Sequence, residues 1–149
     1  MSWNSLFLVT NYWAIAGWLV PAFAPRSPRI LSAILYAGAA LLCLVYTVLI
    51  AGFLVGGIDP GGAGGGGFTS LRGVMKLFDA PGGAVLGWTH YLAFDLFVGM
   101  WIARDADQKG FSRLVQLPFL FLTLMAGPVG LLGWLIVRER RARALARAQ

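Results

Sequence analysis

The sequence predicts an all-α integral membrane protein: a four-helix bundle with a short amphipathic helix at the interface between the second and third spans. Three observations carry this. Of the 149 residues, 58% are hydrophobic, and the mean hydropathy is +0.74. Only 12% are charged, against about 25% in an ordinary soluble domain. Apart from Asp95, the charges also fall outside four apolar runs, each near the roughly 20 residues a helix needs to cross about 30 Å of hydrocarbon.

The first span is expected at 6–24, a charge-free run with Trp3, Tyr12, Trp13 and Trp18 as partly interfacial aromatics. Ala22-Phe23-Ala24 imitates a signal-cleavage pattern. No basic segment precedes it and the apolar run is too long, so a retained helix is expected. Pro21 and Pro25 loosen and end that helix, and Pro25-Arg26-Ser27-Pro28-Arg29 makes a tight basic turn. The second span is expected at 30–55, with Gly52 and Gly56 as a GxxxG pair. The glycine-rich stretch 56–67 reads as a flexible loop. It lacks the Gly-Lys-Ser/Thr ending of a phosphate loop and follows no strand, so nucleotide binding is set aside.

In 69–79, Leu71, Val74, Met75 and Phe78 fall at i, i+3, i+4 and i+7, while Arg72, Lys76 and Asp79 line another face. The twelve residues Phe68 to Asp79 cannot span, so a helix lying at the interface is expected, capped by Thr69 or Ser70. Pro81-Gly82-Gly83 reads as a break before the third span, 84–103, which runs into a polar turn from Arg104 to Gly110. The fourth span, 114–137, is interrupted by Pro118 and by Gly127-Pro128. The tail, 138–149, reads as a basic helical end on the membrane surface.

Twelve Lys and Arg against six Asp and Glu give a net charge of +6. That balance suits anionic lipid headgroups rather than nucleic acid, because no soluble basic domain exists to hold a duplex. Cys43 is the only cysteine, which excludes an intrachain disulfide and a cysteine metal cluster. Four crossings would put both termini on one side. Seven cations there against five in the other loops then point to cytoplasmic termini.

The third span holds the only histidine, His90, and one of the six acidic residues, Asp95. Ionisable groups at bilayer depth cost roughly 2.5–3.5 kcal/mol on insertion scales, which makes them functional candidates by default. Five residues apart, they differ by about 140° around a helix and about 7.5 Å along it. They are therefore not an intrahelical pair, and each must find its partner on another helix, in water or on a ligand. Asn11, Tyr46, Thr47 and Thr123 are the polar groups at plausible depth. One His and one Asp fall short of a three-ligand metal site, so no metal is expected. A lone axial His for a haem or chlorophyll stays open. So does a purely structural role, in which both residues only tie helices together. Acid/base or hydrogen-bonding work on a lipophilic molecule fits as well, with His90 and Asp95 as the proton carriers. Trp88, Tyr91, Phe94 and Phe97 would supply flat surfaces, and Asn11 a polar contact.

The run Gly87-Trp88-Thr89-His90-Tyr91-Leu92-Ala93-Phe94-Asp95-Leu96-Phe97-Val98-Gly99 resembles the ABA4-like family. Ser70-Leu71, Leu77-Phe78 and Gly127-Pro128-Val129-Gly130-Leu131 extend the likeness. The resemblance implies carotenoid (xanthophyll) metabolism: plant members are associated with neoxanthin synthesis, the isomerisation of a 5,6-epoxy xanthophyll to an allenic alcohol. It also implies His90 and Asp95 as the acid and base. One departure is Met100, where the family pattern often carries an Arg; its loss removes a possible partner for Asp95 and puts the identical reaction in doubt. The short, untargeted chain also looks bacterial, and another carotenoid than neoxanthin is then expected as substrate.

The expected function is thus a membrane protein that binds or isomerises a polyene in the bilayer, with a bound carotenoid or other lipophilic pigment as its one candidate cofactor. The alternatives are a non-catalytic accessory or scaffold subunit of a larger membrane complex, or a pigment- or haem-binding protein. The expected partners are the lipid bilayer, a carotenoid-like ligand, and further copies or subunits. The expected location is a bacterial cytoplasmic membrane.

Overall fold

A computed structural model describes residues 2–24 and 27–147. The helices are α1 (Trp3–Phe23), α2 (Pro28–Ala33), α3 (Leu41–Leu54), α4 (Leu71–Asp79), α5 (Pro81–Gln108) and α6 (Arg113–Ala146). A π-helical stretch, Ile34–Ala40, joins α2 to α3. Four helical segments are long and apolar enough to cross a membrane: Trp3–Phe23, Pro28–Leu54, Pro81–Gln108 and Arg113–Ala144. The Pro25-Arg26 part of the expected basic turn and the last two tail residues lie outside the described residues. The chain packs as two units, Met1–Ile15 with Tyr36–Ala93, and Ala16–Leu35 with Phe94–Gln149.

In the first unit, Leu49 of α3 and Val85 and Leu86 of α5 form the core, with Phe7, Val45 and Ile50 packed on it. Trp3 meets Phe53 edge-on at 5.8 Å. The π-helical stretch is held from α1, where the Trp13 indole donates to the Ala37 carbonyl at 2.7 Å. Widened turns of this kind disturb the regular hydrogen-bond ladder, and the indole supplies a donor there. The Gly52–Gly56 pair ends α3 instead of forming a helix-packing face. The Gly52 carbonyl accepts from the Gly57 and Ile58 N–H groups at 2.9 and 3.1 Å, and Gly56 takes a φ of 71°.

The glycine-rich loop is pinned at several points. Asp59 Oδ1 accepts from the Gly61 N–H at 2.8 Å, and the Gly82 N–H donates to the Pro60 carbonyl at 2.8 Å. As expected, α4 is a short helix. Ser70 is its cap, accepting from the Gly73 N–H at 3.1 Å. Its apolar side chains Leu71, Met75 and Phe78 stay exposed. Pro81-Gly82-Gly83 does not break the chain; it opens α5. A proline in a first turn gives up an N–H that would be unpaired anyway.

The second unit contains the end of α1, α2, the second half of α5, and α6. Ser27 caps α2 by accepting from the Ile30 N–H at 3.3 Å. The span expected at 114–137 is not one straight rod. Ala126, at φ −154° and ψ 67°, interrupts α6. Arg141 donates to the carbonyl of Lys109 at 3.1 Å and to that of Gly110. A straight helix would hold Arg141 about 40 Å from that turn. The two arms of α6, 113–125 and 127–146, therefore run antiparallel as a helical hairpin. Extended backbone at Ala126 and a proline at 128 start the second arm without loss of a hydrogen bond.

The hairpin closes because its facing positions are small. A Cβ on Gly130 would overlap the backbone and hydroxyl of Thr123. Lower down, the buried Trp134 fills the space between the arms, edge-on to Phe119 at 5.6 Å and to Phe111 at 5.1 Å. Asp105, near the end of α5, then ties the second arm down. Its Oδ2 accepts from the Trp134 indole at 3.0 Å and from Arg138 Nε at 2.6 Å. Its Oδ1 accepts from Arg138 Nη2 and from Lys109 Nζ, both at 2.7 Å. Asp105 is only 6% exposed, so all four donors act on a largely desolvated carboxylate. The polar turn expected at 104–110 is in fact helical as far as Gln108, and this is what aims Asp105 at the second arm.

Removing one partner of a buried ion pair costs roughly 3–5 kcal/mol, because the other charge is left uncompensated. Asp105→Ala is expected to lower stability by about that amount in denaturant titration of the detergent-solubilised protein. Glu139→Gln, which breaks only the exposed pair with Arg143, is expected to leave the midpoint unchanged.

Candidate functional site

The first unit contains a recess of about 200 Å³ lined by Tyr46, Phe68, Leu77, Phe78, Gly83, Leu86, Gly87 and His90. α5 supplies its floor because Gly83, Gly87 and His90 fall on one side of that helix. α4 supplies the opposite wall through Leu77 and Phe78. Glycine at 87 is required by the close approach of that wall, since a Cβ would overlap the Phe78 ring. α3 contributes Tyr46, whose ring centroid lies 5.4 Å from that of His90, tilted by 55°. A phenol and an imidazole are thus the polar groups in an otherwise apolar, aromatic-walled recess. His90 is exposed, so the recess opens to the protein's surface.

Beside it, three of the expected binding residues come together. The Trp88 indole donates to Asn11 Oδ1 at 3.2 Å. Trp88 stacks on Tyr91 with centroids 5.3 Å apart and planes 23° from parallel, and Phe7 lies 5.9 Å from Trp88 on another side. The result is a fixed aromatic shelf held from α1. Trp88 is 40% exposed, so part of the shelf remains free to take a flat ligand.

The remaining expected residues fall in the second unit. Phe94 is 55% exposed. Asp95 is buried and lies against the tip of the α6 hairpin, where a Cβ on Gly127 would overlap its Oδ1. Residue 127 begins the second arm, and a carboxylate near a helix N-terminus is favoured by the dipole and by first-turn N–H groups that lack intrahelical acceptors. The two ionisable residues that looked like neighbours in sequence thus belong to different units.

The other polar groups considered at depth are occupied within their own helices. Thr47 donates to the Cys43 carbonyl at 2.8 Å and Thr123 to the Phe119 carbonyl at 2.7 Å. Thr10 and Thr89 do likewise, the usual back-bonding of helical hydroxyls. Among the described residues, no three His, Cys, Asp or Glu side chains gather into a group that could hold a metal ion. Phe68 and Phe78 were not among the expected site residues. The signal for Phe78 was the amphipathic pattern of 69–79, which predicts a helix but not which side chain meets α5; Phe68 lies just before that pattern.

Four helical segments long and apolar enough to cross a membrane define the class: a multi-pass α-helical membrane protein. The family model described as ABA DEFICIENT 4-like matches residues 5–134 of the 149. The chain therefore belongs to the ABA4-like family, and the match takes in Asn11, His90, Asp95 and the hairpin tip. Comparison with curated proteins and with solved structures returned no match.

Polar contacts between membrane helices average about 0.6 kcal/mol in double-mutant cycles. A cycle of Asn11→Leu and Trp88→Phe, read by unfolding in detergent, is expected to give a coupling of about that size. Additive effects would show that the contact does not form.

Proposed function

We propose that this protein binds a carotenoid-like polyene and rearranges its oxygenated end group, with the ring seated in the recess of the first unit. The observation that carries the proposal is the placing of His90 and Tyr46 in an apolar, aromatic-walled recess open to the surface. An apolar cavity of about 150 Å³ accommodates benzene. A recess of about 200 Å³ therefore suits a single six-membered ring, leaving the chain of the polyene to run along the outer surface. Trp88 and Tyr91 offer it a flat shelf.

The chemistry proposed is proton transfer without redox change. For an epoxide end group, the C–O bond breaks as its oxygen takes a proton. A neighbouring carbon then gives one up to form the new double bond, so hydrogens and electrons balance. An imidazole can serve as either partner near neutral pH, and the Tyr46 phenol can pass or hold the second proton. Asp95 has a different role in this proposal: it anchors the hairpin tip. Met100 stands in the second half of α5, and the proposal leaves neoxanthin itself aside in favour of another oxygenated carotenoid.

The test is pigment binding and turnover by the full-length protein reconstituted with a panel of epoxy- and hydroxy-carotenoids. His90→Gln is expected to abolish product and Tyr46→Phe to lower it at least tenfold, while Phe121→Leu on the exposed face of α6 behaves as wild type. A well-folded wild type that neither binds nor converts any polyene, yet copurifies with a larger complex in fixed ratio, would establish the accessory-subunit reading instead.

A further inference from the structure

The hairpin changes the distribution of charge along the membrane normal. A crossing helix has its two ends on opposite sides. Arg113 donates to the Ala24 carbonyl at 3.0 Å, which places the start of α6 at the C-terminal end of α1. Arg141 bonds to the turn at Lys109 and Gly110, which brings the tail to that same end.

Among the described residues, Arg29, Arg104, Lys109, Arg113, Arg138, Arg140, Arg141, Arg143 and Arg147 therefore share one end, with Asp105, Asp107 and Glu139 as its carboxylates. The other two described cations, Arg72 and Lys76, belong to the first unit together with Asp59 and Asp79, in the loop and short helix that precede α5. Counting four full crossings had divided the cations almost evenly. Nine against two is a strong asymmetry, and Lys and Arg near span ends set orientation while acidic residues contribute little.

Arg138 is clamped by Asp105, but Arg29, Arg104, Arg140 and Arg147 are exposed. Arg104 also borders a recess of about 220 Å³ whose other walls are Leu35, Phe97, Met100, Trp101, Asp105 and Gln108. The Asp105 carboxylate there is already taken by Arg138 and Lys109, so the exposed Arg104 can meet a phosphate headgroup while Leu35, Phe97 and Trp101 lie beside it for an acyl chain. Each Lys or Arg near an anionic leaflet adds about 1 kcal/mol of attraction.

We infer that α6 enters and leaves the membrane on one side, and that this basic end is a docking surface for anionic phospholipid of the cytoplasmic leaflet. The N-terminus then lies on the opposite side.

The test uses the full chain in a Cys43→Ala background with either Ser2→Cys or Arg147→Cys, probed in bacterial spheroplasts with a membrane-impermeant maleimide. Residue 2 is expected to label in intact spheroplasts, and residue 147 only after lysis. Labelling of both from one side would overturn the hairpin topology. Labelling of 147 alone from outside would overturn the leaflet assignment. If a cysteine variant does not accumulate, a C-terminal fusion of the unsubstituted chain decides the same point. A fluorescent cytoplasmic reporter supports the inference, and an active periplasmic phosphatase overturns it. Reconstitution into phosphatidylcholine vesicles with and without phosphatidylglycerol completes the test. Protection of residue 147 from maleimide is expected only with the anionic lipid, and equal reactivity in both would overturn the docking surface.

Discussion

A carboxylate with four donors at the end of α5 fixes where the second arm of α6 can lie. Asp105 holds Arg138 in a two-point clamp while taking the Trp134 indole, so both the base and the middle of that arm are positioned from one residue. The arm cannot leave without stranding a buried negative charge, which is far more costly than losing the apolar contacts of one side chain. With the base fixed, the two arms must meet at their tip. Gly130 and Gly133 remove the side chains that would keep them apart, facing Thr123 and Phe119, while Gly127 makes room for Asp95 of α5. Asp95, on the same helix as Asp105, then lies where the second arm begins. Two aspartates ten residues apart on α5 thus hold the tip and the base of one hairpin.

Much of this architecture was legible because the relevant signals are local. Four apolar runs of spanning length, a 3.6-residue pattern in 69–79 and a serine before it led to the observed helices and the Ser70 cap. The hairpin was not legible. Gly127-Pro128 predicts an interruption, but a kink of a few tens of degrees and a full reversal look alike in sequence. What separates them is the Arg138–Asp105 pairing across 33 residues, and no periodicity reports that. The glycines show the same limit. Gly52 and Gly56 fit a helix-packing motif, yet they terminate α3 because Ile58 and Gly57 fold back on the Gly52 carbonyl. Pro81-Gly82-Gly83 looked like a break and is a helix start, since a proline blocks only continuation from the N-terminal side.

The candidate site was legible in part, for a similar reason. Asn11, Trp88 and Tyr91 stood out as polar or amphipathic groups in apolar runs, and the fold brings them into one contact set. His90 stood out as the only histidine, and Tyr46 was among the polar groups within plausible reach of it. The walls contributed by Phe68 and Phe78 depend on how α4 lies against α5. That placement is set by glycine at 87 and by the loop anchored at Pro60, features with no chemical signature of their own.

The separation of His90 from Asp95 bears directly on mechanism. A carboxylate paired with an imidazole would raise its basicity and fix its tautomer, the arrangement familiar from catalytic dyads. Here Asp95 lies against Gly127 at the hairpin tip, and a phenol, Tyr46, packs against the His90 ring. In the proposed rearrangement an imidazole and a phenol share the two proton transfers, one to the oxygen and one from a neighbouring carbon.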